Sequence, residues 1–565
     1  MQFKGIVIKP SLFLVFTLSL FTARAQEETK TDYGSVHGNF QVDAQYYQAD
    51  SLIGAPEVPQ KLLSNIFGNV NYNKGKFSAG IRYEAYNDVR QGFDARYKGQ
   101  GIVNRFARYS TDLLDVTVGN FYEQFGSGLT LRTYWEPGLL YDNSIDGARL
   151  ISSPKKGITL KGVIGKQRYF FSLGQGIVRG IDGEVNINEL FDSTLGKKKT
   201  RVIIGGSFVS KYQIDQDPNL NLPENVANYG GRINIIRGGF NFLTEYSYKI
   251  NDPSADNKFS YKFGDALYSS VTYATNGLSF LFQGKRIDNM SYRSDRNESL
   301  QNLLINYLPA TTKQHTYVLL ALNPYATQLN GEIGMMAEVQ YKFKKGTVLG
   351  GKYGTEVAVN YSQAYGLVQR PVGDSTTDMT FYKTYYNEVG ALYYHDFVIE
   401  VNKKFSKKWK GTFVYANQFY NRNIVQFGAE AEGFDNLEAN IVVLDLTHKY
   451  KTSSSIRFEV QGLFTKLPDM VTNSNLVGKG SWATAMIEWT PTSNWFFAIF
   501  DQFNYGNPDP AAQIHYYLGT FGYNKEATRI AISYGKQSAG IFCVGGVCRT
   551  VPASNGITLS VTSSF

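Results

Sequence analysis

The chain has 565 residues and a formal net charge of +9, from 57 Lys and Arg against 48 Asp and Glu. Aromatic residues make up 15% of it, with 40 Tyr and 38 Phe, beside 55 Gly and only 16 Pro. A nucleic-acid binder concentrates its basic residues, and here they are spread along the sequence, so that class is excluded as an expectation.

The first 25 residues, "MQFKGIVIKPSLFLVFTLSLFTARA", carry Lys4 and Lys9, an apolar run from Leu12 to Phe21 and the small-x-small triplet Ala23-Arg24-Ala25. This reads as a cleaved secretory signal peptide. The apolar run is about half the ~20 residues of a transmembrane helix, and no Cys follows the cleavage site to carry a lipid. Loss of Lys4, Lys9 and Arg24 lowers the net charge to +6.

From there, residues 26–565 read as a single domain of alternating segments. Val36, Gly38, Phe40, Val42, Ala44 and Tyr46 interleave with His37, Asn39, Gln41, Asp43 and Gln45. Phe77, Ala79, Ile81, Tyr83 and Ala85 interleave with Ser78, Gly80, Arg82 and Glu84, and the same period recurs at 332–343 and 456–465. Such segments, roughly 9 to 12 residues long, suit tilted strands crossing a bilayer. Tight turns are expected at 73–76, 165–168, 275–277, 344–346 and 524–526, and longer loops at 49–62, 87–100, 363–392, 422–437 and 467–480. Short turns on the periplasmic side, long loops outside and many aromatics predict a large antiparallel outer-membrane β-barrel. An even strand count between 18 and 24 is expected, with 180–230 ambiguous because "EVNINELF" reads as strand or loop.

The C-terminal "GITLSVTSSF" alternates to its last residue. A barrel closes first strand on last, leaving no open edge in lipid, so 36–47 should pair with 556–565. Phe565 then reads as the barrel-closing C-terminal signal for outer-membrane assembly machinery, or as a girdle aromatic.

Two segments break the pattern. "GNFYEQFGSGLTLRTYWEPGLLYDNSIDGARL" holds Arg132, Asp142, Asp146 and Arg149, and 285–332 holds Arg286, Asp288, Arg293, Asp295 and Arg296. Long connections of this kind are usually functional, and 125–157 and 286–332 are expected to fold into the lumen as plugs, or to cap it outside. Cys543 and Cys548 bracket Val544-Gly545-Gly546-Val547, and a disulfide is expected in an exported chain.

These motifs, "GNFYEQFGSGLTLR", "KRIDNMSYRSDR", "YLPATTKQHTY", "LGGKYGT" and "FCVGGVCR", resemble a family of uncharacterised outer-membrane β-barrel proteins from the Bacteroidota. The resemblance implies a barrel in the outer membrane, and it supplies no activity.

Histidines 37, 315, 395, 448 and 515 have no metal-ligand spacing, and no nucleophile elbow or phosphate loop is present. No enzyme, metal or cofactor is expected. A porin-like channel or transporter for a small solute is the first functional reading, with outer-membrane lipid as its surroundings. The alternative is a non-conducting structural or accessory subunit working with other outer-membrane proteins, for which 430–438 offers an acidic surface.

Overall fold

A computed structural model describes residues 33–373, 380–425, 436–465, 480–544 and 547–565. The signal segment 1–25 and most of the acidic stretch 430–438 lie outside them. The first eight long strands are β1 (Ser35–Gln48), β2 (Leu62–Lys74), β3 (Phe77–Tyr86), β4 (Gly99–Ser110), β5 (Leu114–Phe121), β6 (Ile145–Lys155), β7 (Ile158–Tyr169) and β8 (Ser172–Asn186). Next come β9 (Thr200–Tyr212), β10 (Asn225–Arg237), β11 (Phe240–Lys249), β12 (Gly264–Thr275), β13 (Leu278–Asp288), β14 (Gly331–Phe343), β15 (Thr355–Tyr365) and β16 (Leu392–Lys404). The last are β17 (Trp409–Tyr420), β18 (Leu437–Lys451), β19 (Ser454–Thr465), β20 (Trp482–Thr490), β21 (Trp495–Phe503), β22 (His515–Lys525), β23 (Thr528–Gln537) and β24 (Ser554–Ser564).

They form one 24-stranded antiparallel sheet, the upper end of the expected range. Each strand pairs with the next in sequence, and β1 pairs with β24 from Asn39↔Ser564 to Gln48↔Asn555. The sheet is therefore a closed barrel, which satisfies backbone groups that lipid cannot. The outward positions are apolar and exposed, as at Val118 (59%), Ile181 (63%) and Ile499 (69%).

Closure continues one residue past β24. Phe565 N donates to Gly38 O at 2.9 Å, and Gly38 N donates to Phe565 O at 3.0 Å. The Phe565 ring lies over Gly38, where a Cβ would stand 2.8 Å from Cζ. Removing Phe565 forfeits two backbone bonds, each worth about 0.5–1.5 kcal/mol, at the one seam that joins the chain ends. A lower folded fraction is expected in a heat-modifiable gel-mobility assay, and an unchanged fraction would show that the seam closes without it.

Short reversals at 75–76, 238–239, 276–277, 452–453 and 526–527 define one end of the barrel. Gly75 (φ 56°) and Gly277 (φ 82°) supply the left-handed conformation that such hairpins need. The long loops gather at the other end. Two expectations need correction. Residues 165–168 are not a turn but lie inside β7, because Val163, Gly165 and Gln167 keep the strand alternation; the reversal falls at Phe170 (φ 53°). "EVNINELF" is neither wholly strand nor loop: it ends β8 and then forms a short helix, Ile187–Leu190, which a second one, Asp192–Leu195, follows, with the Asn186 side chain accepting from Glu189 N at the first N-terminus.

Candidate functional site in the barrel interior

The two pattern-breaking connections run over 122–144 and 289–330, shorter than the expected 125–157 and 286–332 because β6, β13 and β14 claim their flanks. They meet each other. Arg132 N donates to Ile305 O at 2.9 Å, Tyr307 N to Gly128 O at 2.9 Å, and Asn143 Nδ2 to Leu304 O at 2.9 Å. Gln167 Nε2 of β7 also reaches Leu304 O, at 2.8 Å. Phe121, Phe125, Leu131, Tyr292 and Ile305 then share one apolar cluster with Val163, Val178, Val209 and Val226 of the wall.

From Leu308 the long segment proceeds to a different part of the wall. Lys313 pairs with Glu338 of β14 at 3.1 Å, and His315 Nε2 with Asp396 of β16 at 2.6 Å. Tyr317 donates to Asp445 of β18 at 3.1 Å, Leu319 N to Gln461 of β19 at 2.9 Å, and Gln418 of β17 to Leu320 O at 3.1 Å. Leu319 and Leu320 are buried among Val398, Val414, Ile441 and Leu463, together with Tyr47 of β1, Leu63 of β2 and Tyr516 of β22.

The expected site residues do not form one constellation. Asp142 is buried between Arg82 of β3 and Arg168 of β7, whose Nη1 stands 2.7 Å away. Glu84 completes this group, 2.9 Å from Arg82 and 2.5 Å from Arg168, and Tyr122 donates to Asp142 at 3.1 Å. All four charged side chains are nearly inaccessible. Arg149 faces inward from β6 and meets Asp115 at 2.9 Å and Glu123 at 3.5 Å. Arg132 stacks its guanidinium on Tyr307 and Tyr134, 3.9 and 4.8 Å from the ring centres.

Arg293 pairs with Asp256 at 2.6 Å, Asp295 accepts from Gln213 at 2.7 Å, and Arg296 lies 3.7 Å from Asp252, so 293–296 are fastened to the loops 213–224 and 250–263. Three residues depart from the lumen expectation. Asp146 is on the outward face of β6, 3.1 Å from the exposed Arg105, because its neighbour Ile145 takes the inward position. Arg286 and Asp288 alternate with the inward Lys285 and Ile287 and are covered from outside by the loop after β15, through Thr384, Tyr382 and Tyr386.

The sequence reading missed Lys285 and Glu332, a buried pair at 2.8 Å flanked by Tyr325, which donates to Glu332 at 2.8 Å. Their signal was present as charges at inward positions next to a long connection. Burial and then the Glu332 carboxylate push the Tyr325 phenol well above its usual range. A raised phenol holds its proton in the native state after the unfolded chain has lost its own, so this stabilisation is complete below pH ~10 and fades as pH climbs above it. Urea midpoints measured upward from pH ~9 should fall, and Tyr325→Phe should flatten that fall while lowering stability at neutral pH by about 1–3 kcal/mol. Parallel profiles in the two proteins would refute this account.

Burial is graded along the inner wall. On β16, Tyr394, Asp396 and Val398 are buried, Glu400 and Asn402 half-buried, and Lys404 exposed. β17 repeats this from Tyr420 to Lys410, and β18 from Leu437 to Lys449. The interior is thus filled towards the long-loop end and open at the short-turn end. Cys543 and Cys548 are register partners in a small hairpin, Gly540–Val544 with Val547–Val551, but their side chains lie outside the described residues. His515 of β22 pairs with Asp501 at 2.7 Å and stacks on Phe503.

Closed sheet, apolar exterior and polar, chain-filled interior define a large transmembrane antiparallel β-barrel. The chain belongs to the family described as "Family of unknown function (DUF6029)", whose model matches residues 8–565. No curated protein matches the sequence. Among solved structures it is similar to the siderophore receptor PirA from Pseudomonas aeruginosa, at 10% identity over 95% of this chain and 82% of that one, with a TM-score of 0.38. It is also similar to the P pilus usher PapC translocation pore, at 8% identity over 94% and 99% with a TM-score of 0.43. OccK8 (OprE) from Pseudomonas aeruginosa stands at 8% identity over 94% and 98%, with a TM-score of 0.32.

Proposed function

We propose that the protein is an outer-membrane channel or transporter for a small solute, in which the segment 289–330 obstructs the lumen and must shift for passage. The observation that carries this reading is the graded burial: a polar cavity open at the short-turn end and occupied by inserted chain towards the other. A barrel of 16–18 strands already encloses an aqueous channel, so 24 strands leave room for the inserted chain. On this reading Arg132, Asp142, Arg149, Arg293, Asp295 and Arg296 hold the obstruction in place. The cleaved signal 1–25, a Cys543–Cys548 disulfide and a Bacteroidota outer membrane belong to the same proposal, as does assembly machinery that reads Phe565.

A second reading, a sealed accessory subunit of a larger outer-membrane assembly, is favoured by the pairing of buried interior cations such as Arg82, Arg168 and Lys285 with carboxylates. Single-channel recording in planar bilayers separates the two. Current from the native barrel, or from one relieved of its obstruction, supports transport, and its ion preference names the solute class. Silence from both supports the sealed subunit.

A further inference from the structure

The lysines that look scattered in the sequence are gathered by the fold at the short-turn end of β14–β18. Lys342, Lys404, Lys410 and Lys449 share the inward face with Gln340, Asn402, Thr412 and Thr447 and are exposed at the open mouth. Among the described residues none of the four has an ion-pair partner. Glu400 above them turns towards Lys313, and Glu356, opposite Lys342 in register, accepts from Gln340 at 2.6 Å. Lys404 and Lys410 sit directly opposite each other on paired strands. Like charges so placed destabilise a sheet, and an anion between them would reverse the sign.

Two further observations bear on what that anion is. The patch spans five adjacent strands, about 19 Å at the usual strand spacing, and continues onto the turns through the exposed Lys344, Lys345, Lys407 and Lys408. A single small anion covers one or two of these positions. The same turns also expose Val348 (100%), Leu349 (61%) and Phe405 (56%), an apolar anchor beside a basic field. Bilayer headgroups surround the outside of the barrel and do not reach lysines that face inward.

We propose that this mouth is a docking site for an acidic polypeptide segment of a periplasmic partner, its carboxylates held by the inward lysines and an apolar residue seated on Val348, Leu349 and Phe405. The site does not depend on whether the barrel conducts. The test uses the full-length barrel in detergent micelles, titrated with a fluorescent Glu-rich peptide carrying a leucine pair and followed by anisotropy. Binding should weaken steeply with salt and fall by roughly tenfold or more in K404E/K410E, since it depends on charge. The neutral pair K404Q/K410Q should fall between, and K525E, a lysine at the same end on β22, should bind as native. V348S/L349S should weaken binding as well. Heat-modifiable mobility shows that each variant is folded.

Equal binding by native protein and K404E/K410E overturns the proposal, as does the absence of binding. Full displacement of the peptide by inorganic phosphate or succinate at matched charge concentration would make this a small-anion site instead. Peptide-independent, lysine-dependent capture of anionic phospholipid vesicles would make it a lipid surface.

Discussion

Replacing residues 310–323 by a short Gly-Ser linker is expected to raise the conductance of the barrel by roughly tenfold or more, from brief or absent openings to steady ohmic current. This stretch holds Lys313, His315, Tyr317, Leu319 and Leu320, the groups that tie the long segment to β14 and β16–β19. The wall it leaves is lined by Asp396, Asp445, Glu338 and Gln461, so water and cations would enter where apolar chain now lies. The strands themselves are untouched, and heat-modifiable mobility should be retained. A folded but silent variant would show that the crossing of 122–144 with 290–308 seals the barrel without the tip.

The second large effect is on stability. Asp142→Asn should cost about 3–5 kcal/mol, the usual penalty for removing one partner from a buried ion group. Arg82 and Arg168 would then share only Glu84, in a site from which water is excluded. Asp146→Asn, four residues along, should cost no more than about 1 kcal/mol, because its partner Arg105 is largely exposed and screened. Urea unfolding in micelles measures both. Equal losses would mean that Asp142 is not the keystone of its group.

The contrast between those two aspartates shows where sequence reading stops. The strands, the closing pair β1–β24 and the two inserted connections were legible, because period-two alternation is local and is written into consecutive residues. Which face a charge takes near a strand end is not local. Asp146, Arg286 and Asp288 looked identical in kind to Asp142 and Arg149, and one step of strand phase placed them on the outer wall. The turn expected at 165–168 failed for a related reason: its residues suit a reversal, but β6 offers partners up to Gln167 and holds the strand extended. Arg82 and Glu84 were visible as inward polar positions, while Arg168 and Asp142, their partners, come from stretches far along the chain. The cationic mouth was invisible, since its lysines are spaced along four strands and meet only when the sheet curls.

Leu319 and Leu320 belong to one buried cluster with side chains of β1, β2 and β22 as well as of the middle strands. Those three strands come together only at the seam where the chain's two ends join. The inner cluster is therefore incomplete until the last strand docks, and sealing and closure become a single cooperative event. An assembly intermediate must carry the inserted segment within a half-curled sheet and hold it there until the seam forms. Folding should accordingly wait on the most distant contacts in the chain, the slow limit set by topology. On the proposed reading, such a barrel leaves its biogenesis already corked, and any passage through it has to be licensed afterwards.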